Sequence, residues 1–116
     1  KELESSDAQI NIIASGYQII SKEHRFEKWG NFPKARARLF KLLQKVKPAM
    51  PILITGDRHI AELSRTRLVG LENPLFEITS SGLTHTWSEK RKEANQSDCL
   101  NNNTLIRFSI DGWPLT

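Results

Sequence analysis

With 116 residues the chain has room for one domain at most, and enough length for a core that folds independently. Hydrophobic residues at 38% and charged residues at 26% are ordinary for a soluble protein, and no apolar run approaches the length of a membrane span. The net charge of +4 and a pI near 9.5 point to a mild preference for anionic partners. The positive charge gathers at Lys34–Lys47, Arg65–Arg67 and Lys90–Lys92 without interleaved aromatics or a groove-reading motif, which argues against nucleic-acid binding as the main function. Cys99 is the only cysteine, so neither an internal disulfide nor a cysteine-based zinc site can form within one chain. No signal peptide opens the sequence, and residues 1–8 read as a solvated tail or a cut end.

In chain order, Gln9–Ser15 has the pattern of a strand, ended by Gly16 and followed by a short extended piece, Tyr17–Ile20. Ser21–Phe32 is a loop whose aromatics Phe26, Trp29 and Phe32 are expected to pack it down, with His24 solvated in a charge run. Pro33 suits the first turn of a helix running to about Val46, with Asn31 as a candidate cap. Ala35, Leu39, Leu42, Leu43 and Val46 form its apolar stripe, and basic residues near its end suit the negative pole of the dipole. Pro48 and Pro51 prevent continuation and feed a strand, Ile52–Thr55. Ile60–Val69 mixes apolar and polar residues and reads either as a strand or as an irregular crossing segment. Leu75–Thr79 alternates as a strand with Glu77 opposite to Phe76 and Ile78, and Ser80–Gly82 ends it. Trp87–Asn103 is polar and reads as a long surface connection, most flexible over 89–103. Thr104–Ile110 is a final strand, turning at Asp111–Gly112. Alternation of helix and strands predicts an α/β fold.

The chemistry concentrates in Ile52–His59, ILITGDRH. A short buried strand stops at Gly56 and delivers Asp57 and His59, two residues apart, at the place where α/β sheets bind ligands. A hard oxygen donor and an imidazole side by side suit a metal-assisted hydrolase. An ordinary Gly-Asp turn beside a surface or core histidine fits the same spacing. Arg58, between them, either binds substrate phosphate or points to solvent. Ser80–Gly82 either aims backbone amides at an anion or simply ends a strand. His85 is a candidate for a supporting place behind the metal ligands, or a surface histidine.

The blocks Ile52–Arg65, ILITGDRHIAELSR, and Pro74–Trp87, PLFEITSSGLTHTW, resemble the C-terminal half of the PhoD-like alkaline phosphatase and phosphodiesterase family. The upstream stretches IIASGYQII and FEKWGNFPKARARLFKLL match that family in the same order, so the resemblance covers roughly residues 10–88. These are metallophosphoesterases, related to the calcineurin-like enzymes and the purple acid phosphatases. The resemblance implies that residues 1–116 are the C-terminal part of a partial α/β/β/α sandwich, a fragment of a larger domain. It implies that Asp57 and His59 belong to the catalytic centre, His59 as a direct metal ligand and Asp57 as a metal ligand or a group just behind one, with Gly56 letting the backbone pass close to the metals. Iron, calcium, manganese and zinc are all compatible with such a donor set.

The Asp-rich motifs that supply the family's other ligands have no counterpart in Lys1–Thr116. A phosphate mono- or diester is thus the expected substrate of a larger enzyme, attacked in line by a metal-activated hydroxide. The isolated piece is expected to be inactive, to lack the N-terminal half as a partner, and to self-associate through exposed strands. By resemblance the enzyme would be periplasmic or secreted. Gln18 and Arg36 recur in the family's pattern, and each also suits a purely structural task on loop backbone. The alternative reading is a non-enzymatic basic α/β module binding an acidic partner or nucleic acid.

Overall fold

A computed structural model describes residues 1–22 and 24–81 in full, and the backbone of two further strands, Gln96–Asn101 and Thr104–Ile110. The fold is mixed α/β. Its six strands are β1 (Asn11–Ser15), β2 (Pro51–Thr55), β3 (Ala61–Thr66), β4 (Leu75–Ser80), β5 (Gln96–Asn101) and β6 (Thr104–Ile110). They form one sheet in the order β1-β2-β4-β3-β6-β5. β1, β2 and β4 run parallel, so their carboxyl ends lie together at Ser15, Thr55 and Ser80. β3 is antiparallel to β4 and parallel to β6, and β5 is antiparallel to β6. The ambiguous stretch after His59 is therefore a strand, and β5 lies within the stretch read as a surface connection.

Helix α1 (Pro33–Val46) links β1 to β2. Its start departs from expectation. Phe32 is the N-cap and offers no side-chain acceptor, while the Asn31 Oδ1 accepts a bond from Lys28 Nζ at 2.8 Å. Pro33 at the first position carries the initiation, because its missing N–H leaves one fewer donor to satisfy. The helix ends where Lys47 turns left-handed, φ 50°, with its N–H on the Leu43 carbonyl at 2.8 Å; Pro48 then blocks continuation.

The covered core is small. Ile19, Ile20, Leu43, Leu53 and Leu75 are buried together, with Leu3, Ile13, Trp29, Leu39, Phe40 and Leu68 packed around them. Leu3 ties down the segment read as a solvated tail. Tyr17–Ile20 is not a strand but part of the loop that lies across the sheet. Of the loop aromatics, Trp29 packs and bonds Ser15 Oγ through its indole N–H at 3.0 Å, whereas Phe32 is 64% exposed. His24, expected in solvent, is buried.

What fastens that loop is polar. Glu77, fully buried in β4, accepts the Ile19 N–H at 2.6 Å and the Ile20 N–H at 2.8 Å. From the helix, Arg36 donates to the carbonyls of the same two residues, Nε to Ile19 at 2.6 Å and Nη2 to Ile20 at 2.8 Å. The guanidinium also lies over the Phe40 ring at 4.5 Å. A carboxylate and a guanidinium thus hold one dipeptide from opposite sides, which satisfies backbone groups that burial would otherwise leave costly. Arg36→Lys should cost about 2 kcal/mol, because a point ammonium cannot reproduce the fork or the stacking. The urea midpoint measures it, and an unchanged midpoint would show the fork to be dispensable.

Candidate functional site

β2 runs into the loop Gly56–Ile60 at the shared carboxyl end of the parallel strands. The loop is tightly wound. The Arg58 N–H donates to the Gly56 carbonyl at 2.9 Å, a three-residue turn centred on Asp57 with φ 70°. This is the rarer and more strained of the two hands for such a turn. His59 is also left-handed, φ 54°. Asp and His are among the non-glycine residues that tolerate this region best, yet two of them within three residues is a cost that the surroundings must hold in place. Ser81 does the holding from the end of β4: its hydroxyl accepts the His59 N–H at 2.9 Å, and its own N–H donates to the Ile60 carbonyl at 3.2 Å. The Ser81 amide is therefore engaged in closing the loop.

Burial alternates through the loop, with Asp57 and His59 exposed and Arg58 and Ile60 buried. Asp57, Arg58, His59 and Phe26 line one open cleft of about 240 Å³. The carboxylate and the imidazole thus share a cavity. Arg58 does not point to solvent. Its guanidinium turns inward, lies over the Phe26 ring at 5.2 Å, and donates from Nη1 to Gln18 Oε1 at 3.1 Å. Gly56 is not compelled by space within the chain, since an added Cβ would meet Gly16 O at 3.7 Å and Ser81 Cβ at 3.8 Å, ordinary contacts. His85 and Gly82 lie outside the described residues.

Behind the cleft runs a chain of buried hydrogen bonds whose direction is fixed by chemistry. Arg58 can only donate, so Gln18 turns its oxygen toward it and its amide nitrogen toward Thr79 Oγ1, at 2.8 Å. With Glu77 ionised, the Thr55 hydroxyl donates to its carboxylate, so the Thr79 hydroxyl donates to Thr55 Oγ1 at 2.9 Å. Guanidinium and carboxylate are joined through three uncharged side chains. Burial pushes the Glu77 carboxyl above its ordinary value of 4.5, against the bonds from Ile19, Ile20, Thr55 and Ser21 that favour its charged form. Sequence reasoning missed this chain of bonds; its signal was a glutamine after β1 and threonines near the ends of β2 and β4.

At the rim, a hydrogen bond to Glu27 and its charge, then burial and the charge of Asp57, hold the Tyr17 phenol above its ordinary 10. Two guanidiniums, Arg25 at 6.0 Å and Arg58 at 5.2 Å, lie near the Phe26 ring that forms one wall of the cleft. As donors, Asp57 and His59 offer one oxygen and one nitrogen, a fit for two positions of a metal's coordination shell. Among the described residues no third His, Cys, Asp or Glu joins them. Compared with known protein families, curated proteins and solved structures, the chain matches none.

Proposed function

We propose that this chain is the C-terminal part of a metal-dependent phosphoesterase domain of the PhoD-like type, contributing Asp57 and His59 to the metal centre. One observation carries the reading: both side chains line a single cleft at the carboxyl end of β2, on a strained loop that Ser81 fastens. Strain kept at two exposed positions on either side of Arg58 is characteristic of sites where geometry serves function. Asp57 and His59 would hold a metal ion, which when bound supplies Lewis-acid polarisation of a phosphoester. Phe26 and Arg58 form the inner wall of the cleft, and the Arg58 guanidinium places a positive charge beside the two ligands, which would favour the phosphate of a substrate. The fold supports the reading as well. Half of an α/β/β/α sandwich requires a sheet with one helix-covered face and one apolar face for a second sheet, and Ile12, Ile54, Ile78 and Leu63 stand exposed on the face away from α1.

Two ligands cannot complete a catalytic centre, so the chain alone is expected to bind metal weakly and to turn over nothing. Calorimetric titration of manganese and zinc into the chain should give weak heats that vanish in Asp57→Asn and His59→Asn. A longer polypeptide carrying the natural upstream sequence should hydrolyse p-nitrophenyl phosphate or its bis ester. Metal binding that survives both substitutions would overturn the assignment of these residues.

A further inference from the structure

The loop Gly56–Ile60 leaves β2 and enters β3, yet those strands are not neighbours, because β4 lies between them. The loop therefore bridges two strand spacings, about 10 Å, and arches over the carboxyl end of β4. The register fixes what lies beneath the arch. Thr55 pairs with Thr79 on one side of β4, and Ala61 pairs with Ser80 on the other. Ser81 is the next residue, and two of its groups meet the loop. Its N–H on the Ile60 carbonyl extends the β3–β4 ladder by one rung, and its Oγ takes the His59 N–H.

Glycine does not account for the shape of the arch. Gly56 is not among the residues of positive φ; the left-handed positions are Asp57 and His59, both of which carry side chains. Each would lower its energy by turning to the right-handed or extended region, so the arch has a relaxed alternative. The Arg58 N–H on the Gly56 carbonyl lies within the arch and constrains Asp57 alone. The bond from the His59 N–H to Ser81 reaches outside it, to a strand held on both sides.

We propose that Ser81 is a positioning residue for the metal centre: its hydroxyl keeps the arch in the shape in which Asp57 and His59 face one cleft. This rests on the reading of those two residues as metal ligands and deepens it, since a strand to which neither belongs then sets their affinity. A ligand pair that spends part of its time apart binds with an apparent constant weakened by the fraction of time it is together. The His59–Ser81 bond is open to solvent, so water satisfies the His59 N–H once the hydroxyl is gone. Water is not anchored to β4, however, and it satisfies the donor without holding the loop. Ser81 is only half-buried at the end of the sheet, outside the apolar core.

Two measurements on the chain test this: hydrogen exchange at the His59 amide, and manganese titration followed by broadening of the loop's nuclear magnetic resonances. Ser81→Ala should quicken that exchange and raise the half-broadening manganese concentration, each about fivefold, the worth of one net hydrogen bond. Exchange at the Leu53 and Ile78 amides should not change. Ser81→Thr keeps a hydroxyl acceptor and should return both readouts to parental values. Unchanged His59 exchange in Ser81→Ala would overturn the clamp. Quickened exchange with unaltered manganese affinity would overturn its role at the metal centre. Exchange that quickens at Leu53 and Ile78 as well would overturn it in favour of general loosening. Broadening no stronger in the parent than in His59→Asn would overturn the metal-site reading and the positioning role with it, even where the exchange rates bear out the clamp.

Discussion

Replacing Glu77 with alanine should destabilise the chain by about 3–5 kcal/mol, the largest effect expected of any single polar substitution here. Removal of the carboxylate leaves the Ile19 and Ile20 N–H groups and the Thr55 hydroxyl without their acceptor, in a place water does not reach. Each stranded donor costs about 1–3 kcal/mol, and relief from burying a charge returns part of it. Glu77→Gln keeps one acceptor oxygen but points an amide at a backbone N–H, so its cost should be smaller yet still above about 1 kcal/mol. The same residue sets a pH dependence. Its folded value lies above the ordinary 4.5, so the folded chain holds the proton more tightly than the unfolded one. Stability from this group is complete below the ordinary carboxylate value and is lost as pH rises through the folded value. Glu77→Gln should flatten that decline in urea midpoints measured across the acid-to-neutral range. Glu4 slopes the opposite way, its carboxyl lowered first by bonding to the N-terminal ammonium, but it is exposed and screened. A midpoint for Glu77→Ala within experimental error of the parent would remove Glu77 from the account of what fastens the loop.

The second large effect concerns His59. In a polypeptide long enough to be active, His59→Ala should lower kcat/KM by about 100-fold or more, because changes merely behind a metal ligand already cost about 10–100-fold. Alanine at φ 54° adds backbone strain of its own, so His59→Asn serves as the companion variant, since asparagine tolerates the left-handed region. If both variants lose activity while the thermal midpoint holds, the imidazole is responsible. If His59→Asn retains parental kcat/KM and metal content, His59 is not a ligand. Steady-state rates with bis-p-nitrophenyl phosphate, alongside metal analysis of the purified variants, supply both readouts.

Much of the architecture was legible in the residues. The apolar steps from Ala35 to Val46 and the flanking prolines predict α1, a short apolar β-branched run predicts β2, and alternation predicts β4 and β6. β5, QSDCLN, escaped because an outermost strand with polar residues carries no burial signal for periodicity to detect. Alternation also placed Glu77 opposite to Phe76 and Ile78 correctly, but period two cannot say which face the helix covers. The charged residue went inside and the isoleucine stayed out, because Arg36 and two backbone amides made the inner position hospitable to a carboxylate. At the site, the loop position of Asp57 and His59 was readable from a strand ending in glycine. The inward turn of Arg58 was not, since its partners Gln18 and Phe26 lie more than thirty residues earlier. Gln18 and Arg36 divide the structural tasks foreseen for them: Arg36 serves backbone carbonyls, and Gln18 joins two side chains.

The directed run from Arg58 through Gln18, Thr79 and Thr55 to Glu77 has two ends of unequal rigidity. Each hydroxyl in it can give its hydrogen only one way at a time, so the string has a polarity, and neutralising its acidic terminus relaxes the reason for that polarity. A proton taken up at Glu77 frees the Thr55 and Thr79 hydroxyls to reverse, while Gln18 keeps its oxygen on Arg58, so the string's memory of direction lies in its cationic end.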